Sequence, residues 1–394
     1  MIHIRFTMVF SKRLDILRRI FNNRLNAILT MRVRGLFDYF KPYGFEVPSW
    51  KIAEEYGLNP SEIIRMDLNT SPYLPQKWLK NLESKIPTLK VNQYPDATYR
   101  DLVEEISNYT RVKAEKIIPT NGGDEAVDII VKAFIDSGCE AIISSPTYDY
   151  FRVSVELQGG RVINIQRRVD FADNVEDILS AVNDKTRIIF LCSPNNPTGN
   201  AVHYNDVLKI LDKALDIAVV VDEAYYEYCG KTFIELTETY DNLIIVRTLS
   251  KAFGLAGARV GYIVASKETA KLLNRVRPPN SLNLIAIELA KTALRDYEAV
   301  LKNVGKIIKE RERVRELLST IPKIKAYPSE ANFILFQLLE GDTRLLHRKL
   351  MEKGIVVRYL GPGWLQSCLR VTVSLPEHNN RFLKTLERIL KEEM

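Results

Sequence analysis

Three apolar runs in the middle of the chain are each followed directly by polar side chains that could do chemistry. After residues 187–191 comes the amide of Asn196, after 218–221 the carboxylate of Asp222 and the phenol of Tyr225, and after 243–246 the amine of Lys251 and the guanidinium of Arg259. Ligands of open parallel sheets bind outside the carboxyl ends of the strands. If the runs are strands of one sheet, we expect these groups around one crevice.

Pyridoxal 5′-phosphate (PLP) chemistry needs such a set of groups. A lysine whose pKa is lowered by its surroundings, here Lys251, must form a Schiff base with the aldehyde of PLP. A buried carboxylate must pair with the pyridine nitrogen, and Asp222 follows directly from an apolar run. Asn196 and Tyr225 can donate hydrogen bonds to the ring oxygen. The sequence therefore predicts a PLP site with Lys251, Asp222 and Tyr225 as catalytic residues.

The phosphate of this cofactor needs backbone N–H groups at a helix N-terminus, together with hydroxyls and a cation. The string NGGD at 121–124 opens a predicted helix. The predicted phosphate cup consists of Gly122, Gly123, Asp124, Thr248, Ser250 and Arg259.

Each of these strings alone has an ordinary structural explanation. SPNNPTG at 193–199 is typical of a turn, and a lone aspartate commonly caps a helix. Neither GxGxxG nor GxxxxGK[ST] is present, so the chain shows no dinucleotide or P-loop signature. The prediction depends on the order and spacing of the strings together.

An alternating β/α framework is needed to position these groups, and the sequence predicts one from about residue 115 onward. Its predicted strands are 141–144, 161–165, 187–191, 218–222, 243–246 and 261–264, and its predicted helices are 124–134, 174–182, 204–215 and 267–276. Several strands are apolar throughout, which is typical of parallel strands covered on both faces. We predict an α/β three-layer sandwich with a mostly parallel central sheet.

After about residue 284 the pattern changes to α+β. We predict one long charged helix over 284–319, strands at 333–338, 355–359 and 369–373, and a closing helix over 378–393. The predicted domains are a large cofactor-binding domain over 66–284 and a smaller α+β domain formed by 35–65 and 285–394.

The net charge of +7 lies in residues 1–34, which hold eight of the 56 basic and one of the 49 acidic residues. We expect this basic extension to be dispensable, as a tail or because translation starts at Met8 or Met31. An Arg-rich targeting or surface-binding helix is the alternative. The rest of the chain is neutral, which argues against a nucleic-acid partner.

Other classes of protein are not indicated. No apolar run reaches the roughly 20 residues of a membrane span. The cysteines are far apart, which favours free thiols in a reducing cytoplasm, and no metal-ligand spacing of histidine or cysteine is present. We expect a cytoplasmic protein without a metal site.

The strings SPNNPTG, DEAYYEY and TLSKAFGLAGARVGY resemble the fold-type I PLP-dependent aminotransferases, in particular the histidinol-phosphate aminotransferase family. The resemblance extends over about residues 35–394. Its further markers are KPY at 41–43, DLNTSPY at 67–73, QYPD at 93–96, PTY at 146–148 and CLRVTV at 368–373.

This resemblance implies roles for individual residues at the cofactor. Lys251 would also shuttle the proton between the substrate and the cofactor, Asp222 would hold the pyridinium proton, and Tyr148 would stack on the ring. Tyr94 matches the residue that reaches the phosphate of the partner subunit. The resemblance therefore implies a homodimer with composite active sites.

The resemblance also implies a substrate site formed by Arg370, Arg358, Tyr43 and Asn196. Arg370 would bind the substrate anion, whereas Arg358 has a surface arginine at a strand end as its alternative explanation. The implied reaction is amino transfer between histidinol phosphate and 2-oxoglutarate. The alternatives are an aromatic amino-acid aminotransferase, a threonine-phosphate decarboxylase, and a nucleic-acid-binding regulator with an aminotransferase-like domain.

Two strings depart from the pattern of the family. Asn-Glu-Asn-Pro-Tyr is replaced by NTSPY at 69–73, so a carboxylate is missing near the substrate entrance. The string GPGWLQ at 361–366 contains a bulky Trp364. Both departures concern the substrate rather than the cofactor.

Overall fold

The computed structural model describes residues 33–393. The chain divides after Pro42 into a short N-terminal unit, which contains the 3-10 helix Gly35–Asp38, and a compact unit from Tyr43 onward. Most of the predicted basic extension lies outside the described residues.

Within residues 33–393 the strands form two sheets. The strands are β1 (Ile64–Met66), β2 (Ile117–Thr120), β3 (Glu140–Ser145), β4 (Arg161–Gln166), β5 (Thr186–Cys192), β6 (Ala218–Asp222), β7 (Leu243–Thr248), β8 (Gly261–Ala265), β9 (Ile324–Ala326), β10 (Phe333–Leu338), β11 (Ile355–Tyr359) and β12 (Cys368–Thr372). The large sheet has the order β2-β8-β7-β6-β5-β3-β4, and the small sheet has the order β1-β11-β12-β10-β9.

The large sheet is mostly parallel, as predicted. β4, β3, β5, β6 and β7 pair in parallel, whereas β8 runs antiparallel to both of its neighbours, β2 and β7. The buried strands are rich in β-branched residues, which pack well on a pleated surface.

Helices cover both faces of the large sheet. The helices of the described part of the chain are α1 (Ser49–Tyr56), α2 (Gln76–Lys85), α3 (Arg100–Thr110), α4 (Gly122–Phe134), α5 (Tyr150–Gln158), α6 (Val175–Ser180), α7 (Tyr204–Lys213), α8 (Tyr226–Cys229), α9 (Lys267–Asn274), α10 (Leu284–Arg295), α11 (Tyr297–Ser319), α12 (Thr343–Glu352) and α13 (Pro376–Glu392). Successive residues of β6 enter different cores: Val219 and Val221 pack with α7, and Val220 packs with α4 and α5. This alternation confirms the three-layer sandwich.

The prediction of one helix over 284–319 is wrong. The helix ends at Arg295, and a second one begins at Tyr297. Asp296 between them has a non-helical backbone, and its Oδ2 accepts hydrogen bonds of 2.9 Å from Lys77 Nζ and Trp78 Nε1. These partners lie more than two hundred residues away in the sequence. The sequence around Asp296 therefore contains no local signal that the helix ends there.

Three short strands were not predicted: β1, β2 and β9. With three or four residues each, they are too short to show a period. β1 pairs in parallel with β11 and so belongs to the small sheet. The proposed assignment of 35–65 and 285–394 to a smaller domain agrees with the strands of this sheet, and it stays a prediction.

No helix among residues 33–393 has both the length and the apolar character that crossing a membrane would take.

Candidate active site

The site lies at the carboxyl ends of β5, β6 and β7. Cys192, the last residue of β5, pairs with Asp222, the last residue of β6, and Asp222 pairs with Val246 of β7. A buried ion pair of 2.8 Å between Glu223 and Arg247 connects the ends of β6 and β7. The strings that follow these strands therefore start from one rigid edge, as predicted.

Lys251 follows β7 and is partly buried. Its Nζ donates a hydrogen bond of 3.2 Å to the backbone oxygen of Leu68 and lies 5.8 Å from the centre of the Tyr225 ring. Burial, with help from the positive charge of Arg370, lowers the pKa of Lys251 to about 8. Because the neutral amine is the nucleophile, a far larger fraction of Lys251 is reactive at neutral pH than of an ordinary lysine.

This pKa predicts the pH dependence of amine labelling at Lys251. In protein prepared without PLP, the rate of modification by trinitrobenzenesulfonate should rise through a midpoint near pH 8, because the amine loses its proton there. Mass spectrometry of digests measures the rate at each lysine, and exposed lysines such as Lys77 provide the reference in the same sample. A Lys251 midpoint at or above pH 10 would contradict the lowered pKa.

Asp222 is a buried carboxylate, with 8% of the residue exposed. Its Oδ1 accepts a hydrogen bond of 2.9 Å from Ala224 N. Burial raises the pKa of Asp222 to about 7. A cationic N–H beside it would offset this cost of burial, so the residue fits a protonated pyridine nitrogen.

The predicted phosphate groups are brought together at the start of α4. Arg259 Nη2 donates to Asp124 Oδ2 at 2.9 Å, and Arg259 Nη1 donates to Ser250 Oγ at 3.4 Å. Thr248 Oγ1 donates to the same Ser250 Oγ at 2.9 Å. Gly123 lies in the first turn of α4, where backbone N–H groups are left for a ligand.

Gly122 makes this close arrangement possible. It has a φ of +81°, and a Cβ at this position would lie 2.6 Å from Arg259 Nη2. The positive φ favours glycine here, and a Cβ would also force the guanidinium of Arg259 to shift. The helix N-terminus, the hydroxyls and the cation together fit a phosphate.

Aromatic side chains form one wall of the site. Tyr148 donates a hydrogen bond of 2.8 Å to Asp124 Oδ1, and its ring lies 6.0 Å from that of Tyr43. Burial and the charge of Asp124 raise the pKa of Tyr148, so its phenol stays protonated. A planar ring bound beside Asp124 and Asp222 would therefore lie next to these aromatic side chains.

Two arginines of the small sheet lie across from each other. Arg358 of β11 pairs in register with Arg370 of β12. Arg370 donates to Asn196 Oδ1 and to the backbone oxygen of Asp67, and among the described residues its buried Nε has no hydrogen-bond partner. Burial and the charge of Arg358 are among the causes that lower the pKa of Arg370. An anion bound here would satisfy the open donor and relieve the repulsion between the two cations.

Arg358 is not a free surface arginine. Its Nη1 donates to Glu46 Oε1 and its Nη2 to the backbone oxygen of Gly44, both at 3.2 Å. These contacts hold it beside Tyr43, whose pKa is raised by burial, while the charges of Arg358 and Arg370 lower it in part.

Tyr94 is the predicted site residue that the chain does not bring into the crevice. It is 87% exposed in the single chain.

Asn69 and Leu68 were not predicted as site residues, although both belong to the string DLNTSPY. Asn69 Nδ2 donates a hydrogen bond of 2.9 Å to Tyr225 Oη, and the backbone oxygen of Leu68 accepts from Lys251. Neither the positive φ of Asn69 nor the contact of the Leu68 carbonyl produces a recognisable sequence pattern. The resemblance of residues 67–73 to the family was the only signal in the sequence that could have identified them.

The fold and the site define a PLP-dependent enzyme of fold type I. A family model described as "Aminotransferase class I and II" matches residues 61–386. The histidinol-phosphate aminotransferase of Methanocaldococcus jannaschii is 38% identical over 369 residues, which cover 91% of this chain and 98% of that protein. The chain belongs to the histidinol-phosphate aminotransferase family of these transaminases.

Two solved structures share this fold. The histidinol-phosphate aminotransferase from Clostridium acetobutylicum is 27% identical, with a TM-score of 0.76 over 83% of this chain and 98% of that one. The enzyme from Sinorhizobium meliloti, solved in complex with PLP, has a TM-score of 0.84 at 24% identity and covers 92% of this chain and 98% of that one. The predicted fold class, cofactor and enzyme class are confirmed.

Proposed function

We propose that the protein transfers the amino group of histidinol phosphate to 2-oxoglutarate, giving imidazole acetol phosphate and glutamate. The observation that carries this proposal is the pair Arg358 and Arg370, two cations at paired positions of neighbouring strands beside the cofactor site. Side chains directly opposite on neighbouring strands lie on the same face of the sheet. A doubly charged phosphate fits such a pair better than the apolar side chain of an aromatic amino acid does.

The geometry of the site supports a role for each residue at the cofactor. Bound PLP supplies the electron sink for the reaction. Asp222 would hold a proton on the ring nitrogen, Asn196 and Tyr225 would donate to the ring oxygen, and Tyr148 would cover one face of the ring. The phosphate cup defined above, Gly122 to Asp124 with Thr248, Ser250 and Arg259, would hold the phosphate of the cofactor.

Lys251 both binds the cofactor and moves the proton. With a pKa of about 8, its amine can take a proton from the substrate carbon and return it at neutral pH. Its contact with Leu68 and its closeness to Tyr225 would keep the amine beside the cofactor ring.

One guanidinium can serve both halves of the reaction. Arg370 binds a substrate anion through donors in a planar fork, which suits a carboxylate and a phosphate alike. Arg358, Tyr43 and Asn196 complete the substrate site, and Arg358 adds the second charge that a phosphate needs.

The active unit is proposed to be a homodimer. The exposure of Tyr94 at the surface supports this proposal, because a tyrosine that contributes to the partner's phosphate site must project from its own chain. A cytoplasmic location is proposed with it, and the free state of all four cysteines supports a reducing compartment.

A single half-reaction tests the proposed function. The PLP-loaded protein, without an acceptor, is mixed separately with histidinol phosphate, glutamate, phenylalanine and threonine phosphate, and the visible absorption of the cofactor is followed. Histidinol phosphate and glutamate should both convert the cofactor rapidly to its amine form, and added 2-oxoglutarate should reverse this change. Conversion by phenylalanine but not by histidinol phosphate would contradict the proposal, and release of carbon dioxide from threonine phosphate would indicate a decarboxylase.

A further inference from the structure

Three consecutive residues after β1 contact three of the groups assigned above. The backbone oxygen of Asp67 accepts from the guanidinium of Arg370, and the backbone oxygen of Leu68 accepts from Lys251 Nζ at 3.2 Å. Asn69 Nδ2 donates to Tyr225 Oη at 2.9 Å. Of the three contacts, the one made by Asn69 comes from a side chain, so it can be changed by substitution.

Asn69 is held in place on all sides. It is 1% exposed and has a φ of +54°, a left-handed conformation that asparagine tolerates better than most residues. Its backbone N–H donates to Thr372 Oγ1 at 3.0 Å, and its backbone oxygen accepts from Asn332 Nδ2 at 3.0 Å. The side chain therefore leaves a fixed backbone in a fixed direction.

The hydrogen bonds of Thr372 agree with the orientation of the Asn69 amide, in which the nitrogen contacts Tyr225. Thr372 Oγ1 accepts the backbone N–H of Asn69 and donates its own proton to Asn69 Oδ1 at 3.1 Å. In this orientation the oxygen of the amide faces Thr372, and its nitrogen faces Tyr225. An amide nitrogen only donates, so Tyr225 Oη must accept this bond and direct its own proton elsewhere.

We propose that Asn69 is a positioning residue that directs the hydroxyl proton of Tyr225 to the ring oxygen of bound PLP. The inference rests on the proposed contact between Tyr225 and that oxygen. Burial raises the pKa of the Tyr225 phenol, which therefore keeps the proton that it donates. Without Asn69, the hydroxyl could rotate its proton away from the cofactor.

This role has a spectroscopic consequence apart from turnover. A donor at the ring oxygen stabilises the negative charge of that oxygen. We expect the visible absorption of the loaded enzyme to change with pH, and loss of the donor should raise the midpoint of this change. If Asn69 only supported the fold, its replacement would not shift the midpoint in a way that depends on Tyr225.

The test is a double-mutant cycle of Asn69→Gly and Tyr225→Phe, measured as the pH midpoint of the visible absorption. Glycine permits the positive φ and adds no charge. Each single variant should raise the midpoint, by about 0.5 to 1 pH unit on the scale of hydrogen-bond effects on pKa. In the Tyr225→Phe background, Asn69→Gly should cause no further shift.

Asn69→Asp is a second test of the same proposal, because it keeps the shape of the side chain and replaces the amide donor by a carboxylate acceptor. This variant should also raise the pH midpoint of the visible absorption. The increase should be smaller when Tyr225 is replaced by phenylalanine. A midpoint that Tyr225→Phe raises and Asn69→Gly leaves unchanged would overturn the role of Asn69 alone. A wild-type protein that shows no cofactor absorption after addition of PLP would overturn the proposed function as well.

Discussion

Replacing Lys251 by alanine should abolish amino transfer, with the rate constant of the half-reaction with glutamate reduced by at least about 10⁴-fold, since one side chain carries both the nucleophile and the proton carrier. The measurement is single-turnover conversion of the bound cofactor by glutamate. The lysine makes one hydrogen bond to a backbone oxygen, so the circular dichroism spectrum should be unchanged.

Lys77→Ala is the matched control for this change. Lys77 is 80% exposed and lies outside the site, so its variant should keep the wild-type rate. Turnover of Lys251→Ala within tenfold of the wild type would refute the assignment of Lys251.

Replacing Arg370 by lysine should reduce kcat/KM by about 10²- to 10³-fold for both histidinol phosphate and glutamate, as expected for a buried charge that loses a bidentate contact. A lysine offers one point charge where Arg370 offers a planar fork, and it cannot also hold Asn196 and Asp67. Steady-state kinetics with each donor measure the effect.

Arg358→Lys provides the contrast to this variant. Because Arg358 is assigned to the phosphate, its replacement should affect histidinol phosphate more strongly than glutamate. Equal losses for the two donors in Arg358→Lys would place Arg358 outside the phosphate contact. An Arg370→Lys variant with wild-type kinetics for glutamate would contradict the shared anion site.

The large sheet and the cofactor side of the site could be predicted because their signals are local. An apolar run such as 218–221 is visible in the sequence, and Asp222 follows it at once. The strand order places Asp222 beside Cys192, and the predicted crevice needs nothing more than parallel strands.

The substrate side depends on contacts that a single sequence does not show. The pairing of Arg358 with Arg370 depends on the register of two antiparallel strands, and the contact between Asn69 and Thr372 spans 303 residues. The break at Asp296 likewise depends on Trp78, which lies in a distant helix. For these features, tertiary partners decide the outcome rather than local preference.

The register of β11 and β12 has a consequence for how the range of substrates can change in evolution. Because Arg358 and Arg370 occupy paired positions, the backbones of two strands set the distance between the roots of the two cations. Side chains on one face of a strand recur every second residue, or about every 7 Å. Because the two positions are already directly opposite each other, relocating either cation by such a step would only lengthen the distance between the two roots, and finer adjustments are left to the surrounding loops.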